Sequence, residues 1–196
     1  MNNLTNEIKT SLLYYFIFAR GMYAVTEIGT FYGRADVLAF PRINKQTDII
    51  EVEVKISKDD LKKDFIKKQK KHNALNNKAA NNYISKFYFA VPFDLVDLCN
   101  ELLKINKLFN YGIIAYSETG FFMKDGNIQK SISIKTELSK RVRIIKKAKK
   151  LNVLNPLKTY MDNLNQNVLN RLIYEQCRFY KRCFIKNMPG RQRSKW

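Results

Sequence analysis

Glu51, Glu53 and Lys55 are charged residues at alternate positions of an otherwise apolar run, DIIEVEVKI at residues 48–56. In a β-strand alternate side chains share a face, so these three charges lie together and the intervening valines lie opposite. Charges inside an apolar strand are costly to bury unless they are paired or bind a metal ion. An edge strand with one solvated face would show the same alternation, but the neighbouring apolar runs favour an interior strand.

Asp36 is a second isolated acid, inside the apolar run RADVLAF at residues 34–40. Sixteen residues separate it from Glu53, which suits a strand, a turn and a second strand. Carboxylates on two neighbouring strands are suitable ligands for a divalent cation such as Mg²⁺ or Mn²⁺. The sequence therefore predicts a metal site between these strands.

The elements that must position these residues follow from periodicity and from helix and turn signals. A helix is expected over 4–20 with Thr5 as its N-cap, and Ser57 is expected to cap one long helix to about residue 75. A polar hairpin should pair FFMK with SISIK around Asp125-Gly126. The remaining predicted strands cover 22–28, 34–40, 48–56, 86–91 and 111–116, with a helix over 93–104. This order of elements predicts an α/β fold with a mixed central sheet.

Charge is distributed unevenly along the 196 residues, which carry 36 Lys+Arg against 17 Asp+Glu, a net charge of +19. From about residue 136 lysine and arginine interleave with aliphatic residues, and Pro156 divides this region. We therefore expect a domain over 1–135 and a basic helical extension over 136–196, with helices near 136–152 and 157–186 and a disordered end. Excess positive charge of this size favours a nucleic-acid partner.

Cysteine and histidine are scarce, with three cysteines and one histidine in the chain. That supply nearly excludes a zinc cluster and fits free thiols in a reducing cytoplasm. The apolar run at 12–19 is too short to span a bilayer.

The order of elements around RADVL and EVK resembles the PD-(D/E)xK nuclease superfamily, with Ala35 in place of the proline of the family name. The segment SKDDLKKD, the basic helix and FYFAVP look like the MmcB-type branch, which is described as related to DNA repair. This local match covers about residues 21–97. It implies a restriction-endonuclease-like αβββαβ core in which Asp36, Glu53 and the carbonyl of Val54 hold Mg²⁺ or Mn²⁺. Lys55 would orient the attacking water and offset negative charge.

Additional site residues are implied by the same resemblance. A glutamate on the first helix often assists the metal, which makes Glu7 a candidate, with Glu27 at the end of the first strand as its rival. Gln69, assigned to the inner face of the long helix, is a candidate polar helper. Glu51 could join the metal ligands or pair with a lysine, and the second interpretation is preferred.

Nucleic-acid contacts are expected from basic residues along the chain. His72 could contact phosphate, although a helix-end role is slightly preferred, and the basic residues of the extension could instead lie with their stems over a core. The full set of candidates is Arg34, Lys70, Lys71, His72, Arg141, Arg143, Lys146, Lys147, Arg178 and Arg182.

The expected function is that of a metal-dependent deoxyribonuclease, more an endonuclease than an exonuclease, in repair, recombination or phage genome processing. The alternative is a catalytically inactive nucleic-acid-binding protein on the same fold. DNA is favoured over RNA and no membrane partner is expected. Superfamily members that cut both strands are often dimers, so a homodimer is a further expectation.

Overall fold

A computed structural model of the chain describes residues 3–30, 33–41, 48–76, 84–124, 127–130 and 138–151. The chain divides into two compact units, Met1–Asp162 and Asn163–Trp196, and the second lies outside the described residues. The predicted helix over 157–186, the disordered end, Arg178 and Arg182 therefore also lie outside them.

A six-stranded mixed sheet forms the centre of the described part, in the order β1-β2-β3-β4-β5-β8. The β3–β4 and β4–β5 pairs are parallel, and the other neighbours are antiparallel. The predicted α/β class with a mixed sheet is confirmed. The strands of this sheet are β1 Met22–Thr30, β2 Gly33–Pro41, β3 Ile50–Val54, β4 Lys86–Pro92, β5 Gly112–Tyr116 and β8 Val142–Lys146.

Four α-helices accompany the sheet in the described residues: α1 Asn3–Tyr14, α2 Lys58–Lys67, α3 Gln69–Asn76 and α4 Val96–Ile105. A π-helical turn, Tyr15–Ala19, continues α1, and a short 3₁₀ turn, Phe93–Leu95, precedes α4. Thr5 lies inside α1, so its prediction as the N-cap is wrong. Ser57 does cap α2, because its side chain accepts a hydrogen bond from the backbone N–H of Asp60.

The predicted long helix after β3 is two helices, since the backbone of Lys68 leaves helical geometry between α2 and α3. Leu61 and Phe65 face the core, whereas Ile66 and Gln69 are exposed, so the assignment of Gln69 to the inner face of the helix is wrong. Both facts matter for the site, because they decide which polar side chains of this region face the sheet.

The predicted helix over 136–152 is wrong: Leu138–Lys140 form a 3₁₀ turn and Val142–Lys146 form the edge strand β8. Val142 and Ile144 stand opposite Tyr116 and Ile114 of β5, so β-branched residues complete the sheet where β5 would otherwise be unpaired. The domain boundary expected at residue 135 would therefore separate strand β8 from the sheet to which it belongs.

The polar hairpin is formed by β6 Phe121–Lys124 and β7 Asn127–Lys130, with Lys124 opposite Asn127. The expected partner SISIK is thus replaced by the four residues directly after Asp125-Gly126, and SISIK lies outside the described residues. No helix in the described part of the chain has the length and apolar composition needed to cross a bilayer.

Gly112 of β5 lies where the surrounding atoms leave no room for a side chain. A Cβ built on it would lie 2.7 Å from the backbone nitrogen of Ala148 and would also overlap the ring of Tyr88. We expect Gly112→Ala to lower the free energy of unfolding by about 2 kcal/mol, since the buried ring and a backbone atom must both move. Gly29→Ala is the matched control, because a Cβ there meets no atom within 4 Å. Equal urea midpoints for the two variants would contradict the packing described here.

Candidate active site

Glu51, Glu53 and Lys55 lie in or directly after β3, the third of six strands, and all three are buried, with 0%, 3% and 6% exposure. An edge strand with one solvated face is therefore excluded as the explanation of their alternation. Buried charges need partners, and three lysines supply them for the glutamates. Lys55 comes from the same strand segment, and Lys68 and Lys71 come from the α2–α3 region.

Glu53 is the centre of this lysine cluster. Its Oε1 lies 3.1 Å from Nζ of Lys55 and also accepts a hydrogen bond from Lys68, while its Oε2 accepts one from Lys71 at 3.2 Å. Burial raises the pKa of Glu53, but the charges of Lys71, Lys55 and Lys68 outweigh it and leave the pKa below its ordinary value. Glu53 is therefore an anion inside the fold at neutral pH.

Glu51 pairs with Lys71, whose Nζ lies 2.5 Å from Oε1, in agreement with the preferred interpretation of this residue. The geometry is imperfect, since neither carboxylate oxygen forms a well-angled hydrogen bond with the described residues. Burial, the larger effect here, raises the pKa of Glu51 despite the charge of Lys71. Lys71 also lies 5.4 Å from the ring centre of Phe87, so it is fixed in the interior.

Lys55 is held from the other side by Asp64 of α2, whose Oδ1 lies 2.8 Å from Nζ. The other oxygen of Asp64 lies 3.0 Å from Nε2 of His72, and Nδ1 of His72 lies 3.2 Å from the hydroxyl of Tyr111. All four residues are buried. A continuous polar chain thus runs from Tyr111 through His72 and Asp64 to the ammonium of Lys55.

The charges of this chain are mutually stabilised. Burial lowers the pKa of Lys55. The nearby charges of Glu53 and Asp64 raise the pKa by more than burial lowers it, so the pKa is well above its ordinary value. Burial raises the pKa of Asp64, yet the hydrogen bond to His72 and the charge of Lys55 bring it well below the usual range. Lys55 is therefore a permanent cation at neutral pH, suited to electrostatic stabilisation rather than to proton abstraction.

Asp36 lies where the β2–β3 ladder ends. The last pair on this side is Val37 with Val52, so Asp36 and Glu53 are the next residues on the two strands. Oδ2 of Asp36 accepts the backbone N–H of Val54 at 2.8 Å, and Oδ1 lies 2.7 Å from Nζ of Lys9. Asp36 and Glu53 are thus adjacent across the seam, although different lysines neutralise them.

Of the two rival glutamates, Glu27 is the one beside Asp36. It stands opposite Asp36, between the pairs Thr26–Val37 and Ile28–Ala35, and shares the ammonium of Lys9 with it. Arg34 also pairs with Glu27, at 2.8 Å. Glu7 instead accepts a hydrogen bond from the hydroxyl of Tyr116 at 3.1 Å. The position of Glu7 therefore does not support the expectation that it assists the metal.

The donors at this seam determine which kind of divalent metal site they can form. Asp36 and Glu53 have the oxygen chemistry that Mg²⁺ prefers, and Mg²⁺ usually needs only one or two protein carboxylates because it keeps several waters. Among the described residues no three His, Cys, Asp or Glu side chains converge closely enough to form a complete metal cage. Two carboxylates are within the number of protein ligands that Mg²⁺ or Mn²⁺ needs, and the described residues supply too few donors for a closed structural site.

Several candidate residues have positions that differ from those expected. Lys71 and His72 are buried and paired, so their prediction as nucleic-acid contacts is wrong, as is the preferred view of His72 as a helix-end residue. Gln69 is exposed and does not face the site. Lys70, Lys147 and the side chain of Arg34 are exposed, whereas Arg141, Arg143 and Lys146 are half-buried on or beside β8.

Four site residues escaped the sequence reasoning: Lys9, Lys68, Asp64 as a core residue, and Tyr111. Lys9 and Lys68 look like ordinary helix-surface lysines, and Asp64, the last residue of SKDDLKKD, looks like the acid of an i,i+4 pair, which it does form with Lys68 at 3.3 Å. Lys9 lies at helical spacing from Leu12 and Leu13, which is a signal that could have singled it out, whereas Asp64 has only Leu61 as an apolar neighbour at that spacing.

Comparison with known proteins identifies a similar fold in a solved structure. No family model matches the chain, and no curated protein matches it. A solved structure of a protein of unknown function from Silicibacter pomeroyi matches with a TM-score of 0.53 and 14% identity, covering 96% of this chain and 97% of that one. At this identity the match shows the fold alone: the chain is a mixed α/β protein built like that neighbour.

We expect Asp64→Asn to lower the free energy of unfolding at about pH 7 by roughly 3 kcal/mol, because it removes one partner of a buried charge network. Since the pKa of Asp64 is lowered in the folded state, its contribution is complete above the unfolded pKa near 3.9 and is lost as the pH falls below that value. The difference from the unchanged protein in urea titrations should therefore shrink between about pH 7 and pH 3.

Asp59→Asn is the matched control, because Asp59 is exposed in the first turn of the same helix. Its effect should stay within about 0.5 kcal/mol at both pH values. A loss for Asp64→Asn that does not change with pH would show that the carboxylate charge is not what stabilises the network.

Proposed function

We propose that the protein is a nuclease that hydrolyses phosphodiester bonds in DNA with the help of Mg²⁺ or Mn²⁺, on a restriction-endonuclease-like core. The observation that carries the proposal is the position of Asp36 and Glu53, which directly follow the last pair of the β2–β3 ladder on its two strands, with the permanent cation Lys55 beside Glu53. Carboxylates on adjoining strands with a neighbouring lysine form the pattern that the sequence resemblance implies.

Each residue has a distinct role in this proposal. Asp36, Glu53 and the carbonyl of Val54 hold the ion, which when bound supplies an activated water and neutralises charge on the phosphate. Lys55 orients that water and stabilises the negative charge that develops on the phosphate oxygens. Asp64 and His72 keep the Lys55 ammonium in place through contacts of 2.8 and 3.0 Å along the chain from Tyr111.

The DNA backbone is proposed to contact the α2–α3 basic face, defined as Lys62, Lys63, Lys67 and Lys70. These lysines are exposed, and none has an ion pair with the described residues, in contrast to the buried lysines of the site. Like charges four residues apart on a helix, such as those of Lys63 and Lys67, repel each other and destabilise the helix slightly. A bound polyanion would relieve this repulsion. The proposed setting is the cytoplasm, in repair, recombination or phage genome processing.

A catalytically inactive nucleic-acid-binding protein on the same fold is the second candidate. The observation that favours it is the lysine partner of each carboxylate: Lys9 serves Asp36, and Lys55, Lys68 and Lys71 serve Glu53. A site that neutralises its acids internally can fold and bind without a metal ion.

Cleavage assays separate the two candidates. The purified chain is incubated with single-stranded, duplex and branched DNA and with RNA, with Mg²⁺, Mn²⁺ or EDTA. We expect metal-dependent cutting of DNA that falls by at least about 100-fold in Asp36→Asn and in Lys55→Met, the scale on which loss of one transition-state-stabilising group acts. Asp48→Asn is the matched control: Asp48 pairs with Lys86 at 2.5 Å before β3 begins, and its loss should leave cutting near the starting level.

Binding without cutting in either metal would favour the inactive protein. Absence of both binding and cutting would remove both candidates. Cutting that survives in Asp36→Asn and Lys55→Met would place the chemistry elsewhere in the chain.

The role of the α2–α3 basic face is tested by the salt dependence of DNA binding. Replacing Lys62, Lys63 and Lys67 by Gln should weaken binding and reduce the slope of log K against log salt by about 0.9 for each phosphate that is no longer neutralised. Replacement of the exposed Lys104, Lys107 and Lys149 removes the same charge elsewhere and should leave that slope nearly unchanged. Equal slopes for the two triple variants would mean that net charge alone, and not this face, holds the DNA.

A further inference from the structure

Lys9 is the residue of α1 that contacts two acids of the site, Glu27 and Asp36. Its Nζ binds a carboxylate oxygen of Glu27 and lies 2.7 Å from Oδ1 of Asp36, and its side chain is only 11% exposed. Burial alone lowers the pKa of Lys9, but hydrogen bonds and charges from these two acids raise it above its ordinary value. A single ammonium therefore serves two carboxylates on neighbouring strands.

The two carboxylates are held in place by further contacts. Asp36 is fixed by the N–H of Val54 and Glu27 by Arg34, while Glu27 has a backbone φ of +56°, a left-handed conformation that is unfavourable for glutamate. Like charges directly opposite each other on two strands destabilise a sheet. A cation between them offsets that repulsion, and here the cation is part of the chain.

A tethered ammonium differs from a bound metal ion in one respect that can be measured. It does not dissociate, so chelators and dilution leave it in place, and it excludes a second cation from the space between the carboxylates. Lysine carries one charge and prefers hydrogen-bond acceptors such as these oxygens, whereas a divalent ion would bind the same oxygens more strongly if that space were open.

We propose that Lys9 is the built-in cation of the Glu27–Asp36 pair and that it limits the number of divalent ions the site holds. With Lys9 present, one ion binds at Asp36 and Glu53; without it, a second ion binds between Glu27 and Asp36. The first half of this statement rests on the proposed function, and the second half rests only on the contacts of Lys9.

The test is the stoichiometry of Mn²⁺ binding to the full chain, measured by isothermal titration calorimetry and by the loss of the free-Mn²⁺ electron paramagnetic resonance signal. The variants are Lys9→Met, Lys9→Gln in case the first folds poorly, and Lys9→Met combined with Glu27→Gln. Lys86→Met is the matched control, because Lys86 pairs at 2.5 Å with the single carboxylate Asp48. Circular dichroism establishes that each variant is folded.

We expect the unchanged chain to bind one Mn²⁺, Lys9→Met or Lys9→Gln to bind two, the double variant to return to one, and Lys86→Met to stay at one. If the unchanged chain binds none and the Lys9 variants bind one, the inference about Lys9 stands and the proposed nuclease function fails. Equal numbers of ions with and without Lys9, a loss of binding in its variants, or two ions in the unchanged chain would each overturn the inference.

Discussion

Burial of the Glu53 carboxylate inside the central sheet is the constraint on which the arrangement around it depends. A charge on an interior strand must be paired, and three lysines converge on Glu53 for that reason. Two of these lysines, Lys68 and Lys71, come from the α2–α3 region, so this region must lie against β3. The helix break is at Lys68, and both lysines contact the carboxylate of Glu53. Asp64 then becomes necessary as the second acid for Lys55.

The alternation of residues made this centre visible in the sequence. Because strand side chains alternate with a period of two, Glu51, Glu53 and Lys55 had to share a face wherever the strand lay. Apolar runs on both sides indicated interior strands, and β2, β3 and β4 are indeed internal to the sheet. The identity of these strands, their mixed order and the neighbouring strand positions of Asp36 and Glu53 were therefore accessible from the sequence.

What the sequence could not indicate depends on tertiary contacts. A lysine on a helix has the same appearance whether it ends in water, as Lys70 does, or against a buried carboxylate, as Lys71 does. Residues 142–146 combine basic and β-branched residues in a pattern compatible with a helix, and the open edge of β5 decides in favour of a strand. Glu27 adopts its unfavourable backbone conformation opposite Asp36, which no local rule predicts.

The formal charges of the site are nearly balanced, although the chain as a whole is strongly basic. In the described residues the site joins five carboxylates, those of Glu27, Asp36, Glu51, Glu53 and Asp64, with four ammonium groups, those of Lys9, Lys55, Lys68 and Lys71. Arg34 and Asp60, which are more exposed, pair with this group at its edge, so the formal charges of the site almost cancel inside a chain whose net charge is +19. The positive field of the surface acts over long distances, whereas the paired charges of the site act at contact range, because buried charges are screened little by water. In the proposed function, a polyanion would therefore meet the surface charge and a divalent cation would meet the interior carboxylates, at separate depths.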